Sequence, residues 1–457
     1  MRRIAAVLIL TLVAISLLVV TLLAHRREAE FAVTVYDPSP THIWNRLHSA
    51  LFVRDDIPAT RFFPDPLDAP YWDRTSYLLD QPSHHRMLRI LDDFLQTHAG
   101  NAIRDPLKRA MLQRDLWAAF DWSVMRQPKT YRDPAYEKEK RELQTRLAEI
   151  LRRLALSPEE IESLPNNYEK AVASGEFAKE YDPVHRERAF LPPDLFGPHG
   201  PWVEIEGLGD PQPVAVQHFG QFSGRSRFRI FVRLPAGRKA TFDYLETVWN
   251  FPKPTIPSPH YAPGQDVAPN PDLPQFPAGT QFALVRQMVL FDNQGRLVST
   301  PITESVQIRV YRTLAQSSAP PINQDQAIAQ SGQDFYEIRL RRPRLFANQA
   351  GGLQATEPNE KEFTVFGFIG PDNGDPGSYA ATRPFAPLKS CVQCHGAPGI
   401  NSVNSRSVLL KPHLLQRDVT ADLSGPRTWE DARIVPWKQR QADWELLNQL
   451  WTHLPAK

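Results

Sequence analysis

Outside one short motif this 457-residue chain has no cysteine, its two being Cys391 and Cys394. Structural disulfides therefore have no thiols to form them, which is compatible with a periplasmic location without demonstrating it. Glycine is scarce at 22 residues while proline is abundant at 43, so long, stiff loops are expected. Neither sign of charge dominates: 53 Lys and Arg face 51 Asp and Glu, and no nucleic-acid partner is implied. A serine nucleophile elbow, a phosphate loop and a zinc-protease motif are all missing, which removes the usual independent grounds for an enzyme.

What the chain does have is Cys391-Val392-Gln393-Cys394-His395, where both thiols and an adjacent imidazole stand together. Two thiols at this spacing can form thioethers to the two vinyl groups of one haem, and the histidine then falls under the iron as proximal ligand. A thioredoxin-like redox pair would open a helix, but Gly396-Ala397-Pro398-Gly399 follows and disfavours a long helix after the pair. A structural zinc site needs four ligands, and His413 stands alone downstream. The motif, extended by Gly396, resembles the attachment site of c-type cytochromes. That resemblance covers these residues only and implies one covalent haem c held by Cys391, Cys394 and His395.

Residues 4–24 form an uncharged run of 21 between Arg2-Arg3 and His25-Arg26-Arg27. As a helix this run is about 31 Å long, so residues 1–27 are expected to be an uncleaved membrane anchor rather than a cleaved signal. The arginines on both sides leave its orientation open, and the resemblance implies that the bulk of the chain is periplasmic.

Residues 28–190 are expected to be mainly helical. In His84–Thr97 the apolar residues Met87, Ile90, Leu91, Phe94 and Leu95 follow helical spacing behind Ser83 as N-cap. Asp105-Pro106 opens an amphipathic helix through Val124, a third carries Leu143 to Leu154, and Ser157-Pro158-Glu159-Glu160 reads as a capping box.

Residues 191–370 change to a period of two, as in Arg227–Leu234. Further strands are expected at Gln281–Phe291, Ser305–Arg312, Phe335–Leu340 and Phe363–Ile369, with Asp292-Asn293-Gln294-Gly295 as a hairpin turn. The nine prolines of Pro252–Pro277 imply an extended surface loop or lid. The strand arginines read as a solvated sheet face. Residues 371–415 hold the haem motif on irregular backbone, and the Asp- and Gly-rich turn before it needs no calcium to explain it. Residues 416–457 form a tail with one helix, whose Trp437, Trp444, Leu447 and Trp451 are expected to pack in the core.

The fold class expected is thus α+β: an N-terminal transmembrane helix, a helical bundle region, then a mainly antiparallel β domain carrying the haem-attachment loop and a short C-terminal helix. The expected function is that of a membrane-anchored mono-haem cytochrome passing electrons to a redox partner protein on the periplasmic side. A haem enzyme or gas binder with an open iron position is one alternative. A partner-binding β domain with an accessory haem is another. All five methionines precede the motif, so His413 is the leading candidate for the sixth ligand, followed by His453, His260, His218 and Met288.

Overall fold

The computed structural model describes residues 34–52, 79, 81–125, 134–205, 218, 222, 224–253, 255–257, 267–314, 323–358, 360, 387–403 and 429–453. Among these residues the N-terminal half supplies six α-helices: α1 (Ile43–Phe52), α2 (Gln81–Gln96), α3 (Pro106–Met125), α4 (Pro134–Leu154), α5 (Pro158–Glu162) and α6 (Asn167–Ser174). Their starts follow from the caps the sequence provides. Asp105 Oδ1 accepts from the Leu107 amide at 2.8 Å, and Ser157 and Glu160 form the reciprocal capping box. Helix α2 begins at Gln81, ahead of the expected Ser83 cap.

Helix α3 departs from the expectation of one greasy face, because residues 110–123 are buried without interruption. It is the central rod of the molecule. Leu112, Leu116 and Phe120 join the α2 and α4 core of Leu91, Phe94, Leu147 and Leu151, while its polar residues reach fixed partners. Gln113 donates to the Phe291 oxygen at 3.0 Å, and Arg114 meets Glu304 at 3.1 Å and Ser226 Oγ at 3.0 Å. Asp115 accepts from Tyr36 and Arg342, and Asp121 from Arg225 and Lys438. Buried charges are tolerable only when paired in this way.

Among the described residues the main sheet has six antiparallel strands, each hydrogen-bonded to the next in the order that follows. They are β1 (Val203–Ile205), β2 (Ser226–Arg233), β5 (Gln281–Phe291), β6 (Leu297–Tyr311), β7 (Gln333–Leu340) and β8 (Leu353–Ala355). Alternation gives the sheet two different faces. Val285, Val306 and Ile338 stand opposite one another in register and join the helical core. The other face carries Phe228, Arg286, Ser305 and Arg339 in one row and Val232, Phe282, Arg309 and Phe335 in another. A second apolar cluster of Val232, Phe282, Tyr311, Phe276 and Leu273 includes residues of that face.

Within the proline-rich stretch, β3 (Thr255–Pro257) and β4 (Val267–Pro269) pair as a separate two-stranded ribbon. Each has an open edge, where proline's missing N–H costs no ladder bond. Helix α7 (Arg238–Trp249) follows β2, α8 (Gln324–Ser331) precedes β7, and α9 (Arg342–Phe346) precedes β8.

Four expectations are corrected. The fold is α+β with an antiparallel sheet, but no helix among the described residues is long and apolar enough to cross a membrane. The longest, α3 and α4, are interrupted by charges, while residues 4–24 lie outside the described residues. The haem motif sits on a helix rather than a loop: α10 (Pro387–His395). The tail forms two helices, α11 (Trp429–Gln439) and α12 (Ala442–Thr452), and Trp437 belongs to the first. Trp444 and Leu447 are buried in the core, and the Trp451 ring meets Phe291 at 4.8 Å. Finally, the strand arginines are not simply solvated: Arg229 and Arg286 are buried, and Arg229 is bonded through Nε to Glu204 at 2.6 Å. The expected strand Phe363–Ile369 lies outside the described residues.

Candidate haem-attachment site

Helix α10 is laid along the β7 edge of the site by two apolar residues one turn apart, Leu388 and Val392, both buried. Lys389 reaches Asp325 of α8 at 2.7 Å. The helix ends at His395, whose main-chain oxygen accepts from Gln333 Nε2 at 2.7 Å, satisfying a carbonyl the helix itself leaves unpaired. Gly396 then turns the chain where a Cβ would lie 2.5 Å from the Val392 oxygen. Helical backbone places positions 391, 394 and 395 on one side of α10, a spacing of i, i+3 and i+4. Cys391 is half-buried.

The short turn Gly399–Ser402 clasps the histidine. Gly399 has φ +53°, and a Cβ there would fall 2.0 Å from Gln275 Oε1, the atom that accepts from the Ile400 amide at 2.9 Å. Ser402 Oγ donates to the Gly399 oxygen at 2.8 Å and accepts from the Tyr311 hydroxyl at 2.6 Å. The main-chain oxygen of Ser402 accepts from His395 Nδ1 at 2.7 Å and from Arg309 Nη1 at 3.1 Å. A carbonyl oxygen can only accept, so Nδ1 carries the proton and Nε2 keeps its lone pair.

His218, in the chain between β1 and β2, brings a second imidazole to His395: the ring centroids are 6.3 Å apart and the planes differ by 5°. It also packs against Phe228 at 6.0 Å with a 42° tilt. Burial, reinforced by the Arg309 and Arg286 guanidinium groups, pushes His218 down to about 4. Burial and then Arg309 also hold His395 well below the usual histidine range, against the opposing pull of the Ser402 hydrogen bond. Both environments therefore disfavour the charged ring, and the uncharged ring is the form that binds a metal. Arg286 lies 4.1 Å over the Phe222 ring and 3.8 Å from Glu304, so cationic side chains border the site.

Of the residues expected from sequence, Cys391, Cys394 and His395 share one helix. His413 and His260 lie outside the described residues. His453 is exposed at the end of α12, which packs on α3 and α4, and Met288 is sealed in the core. Among the described residues no three His, Cys, Asp or Glu side chains group as a metal cluster. A haem iron asks less of the protein, since the porphyrin supplies four of its ligands. The site's further members, His218, Gln275, Arg309, Tyr311, Gln333 and Ser402, come from separate segments. Their only sequence signal was the alternation that puts Arg309 and Tyr311 on one face of β6. Comparisons with family models, curated proteins and solved structures return no match.

Proposed function

We propose that the chain binds one haem covalently through Cys391 and Cys394, with His395 as proximal ligand, and serves as an electron carrier outside the cytoplasm. The observation that carries this reading is the presentation of His395: it closes a helix bearing both cysteine positions, and its Nδ1–H is fixed by Ser402. Nε2 is thereby oriented as donor without a rotamer search.

Haem, when bound, supplies a one-electron ferrous–ferric couple. The protein's part is to hold and shield it. Leu388 and Val392 anchor the attachment helix, Ser402 fixes the tautomer, and Arg309 braces the same carbonyl.

The test is expression of the full chain with cytochrome c maturation factors, followed by denaturation and pyridine haemochrome spectroscopy. Haem that stays with the polypeptide, and is lost or singly linked in Cys391→Ala and Cys394→Ala, supports the reading. Fully extractable haem sinks it.

A further inference from the structure

We propose that His218 is the second axial ligand, so that the iron is held between the imidazoles of His395 and His218. The inference rests on the haem attachment argued above and goes beyond it by closing the sixth position.

The argument is first one of distance. A histidine nitrogen stands about 2.0–2.1 Å from the metal it binds, and the ring centroid lies roughly 1.1 Å behind that nitrogen, so two imidazoles on opposite sides of one iron have centroids about 6.2–6.4 Å apart. His218 and His395 are at 6.3 Å. The two planes differ by 5°, and two imidazoles on one iron can lie parallel. Aromatic packing also tolerates centroids 4.5–7 Å apart, but it would not call for a second histidine beside the attachment motif. Packing is already visible in the ring's other neighbour, Phe228, at a 42° tilt.

The surroundings point the same way. His395 has its Nδ1 committed to Ser402, so only Nε2 is left for a metal. Of the other candidates described, His453 is exposed beside the helices and Met288 is sealed in the core. His413 becomes a bystander under this assignment.

Two consequences separate this from a five-coordinate site. The ferric protein is low-spin, and parallel imidazole planes split the iron d orbitals unequally, giving a rhombic electron paramagnetic resonance signal. The ferrous protein binds carbon monoxide slowly, since a ligand must leave first.

The experiment uses the full chain matured with haem, in wild type, His218→Ala and His413→Ala, with pyridine haemochrome on denatured samples as an independent readout of attachment. The expected result is covalent haem in all three and a low-spin rhombic spectrum in wild type and His413→Ala. His218→Ala should lose the low-spin signal, bind carbon monoxide rapidly when reduced, and regain low spin on adding imidazole. A covalent haem that is high-spin in wild type, or low-spin and unchanged in His218→Ala, overturns the ligand while leaving attachment intact. Absence of covalent haem from wild type overturns both. If His218→Ala yields no folded protein, His218→Met decides: a spectrum altered by the new ligand supports the assignment, and an unchanged low-spin spectrum overturns it.

Discussion

His395 donates its Nδ1 proton to the main-chain oxygen of Ser402 at 2.7 Å, and that oxygen accepts Arg309 as well. One carbonyl thus sets the histidine's tautomer and ties the attachment helix to β6. The clasp depends on the turn that holds Ser402, and the first prediction concerns that turn.

Gly399→Ala should destabilise the protein by about 1–3 kcal/mol, because alanine at positive φ is strained and its Cβ meets Gln275 Oε1. Urea unfolding measures the loss. The spectrum of the matured protein should change with it, since His395 is released from a fixed rotamer; unchanged stability and spectrum would show that the turn relaxes freely.

Glu304 is sealed from solvent between Arg114, at 3.1 Å, and Ser226 Oγ, which donates at 2.6 Å. Glu304→Ala should cost about 3–5 kcal/mol, since it leaves the Arg114 guanidinium buried without its carboxylate. Replacing both residues with apolar ones of similar size should recover much of that loss. A double-mutant cycle by chemical denaturation checks both expectations.

Stability should also fall with rising pH through one buried pair. Asp443 is pushed up to about 8 by burial and by the neighbouring Asp121 carboxylate, although Lys438 opposes this. For Asp121 burial acts upward but Lys438 and Arg225 outweigh it, so that carboxyl stays below its usual range. A proton held by folded Asp443 and released on unfolding stabilises fully below the unfolded carboxyl range, and this contribution is lost as pH rises through about 8. The expected slope is at most about 1.4 kcal/mol per pH unit between roughly 4 and 8. Comparing unfolding midpoints of wild type and Asp443→Asn across that range tests it; equal slopes would contradict the assignment.

Much of this architecture was legible where local chemistry decides the structure. The strand Gln281–Phe291 occurs with the bounds its apolar run implies, and Asp292 and Gly295 make the hairpin turn, closed by Asp292 N to Arg296 O at 2.9 Å. The Ser157–Glu160 box forms as its residues dictate. Elements governed by distant partners were not legible. Helix α3 looked one-sided because Arg114, Asp115 and Asp121 read as solvent-facing until their partners on β6, α9 and β2's approach are known. Strand β6 runs from Leu297, directly after the hairpin turn, into the strand expected at Ser305–Arg312, although its pairing with β5 shifts register around Gln287. Glycine and proline after His395 do end a helix, but they say nothing against one before it, and α10 ends there. His218 had no local mark at all, since what distinguishes it is a ring brought close by the sheet.

The most direct test of the central claim is the intact mass of the denatured full chain, matured with haem, followed by mass spectrometry of its peptides. The account predicts a chain heavier by one haem, with the added mass confined to the peptide containing Cys391 and Cys394 and abolished when both are alanine. A chain of unmodified mass, with haem removed by acid and solvent, would contradict it.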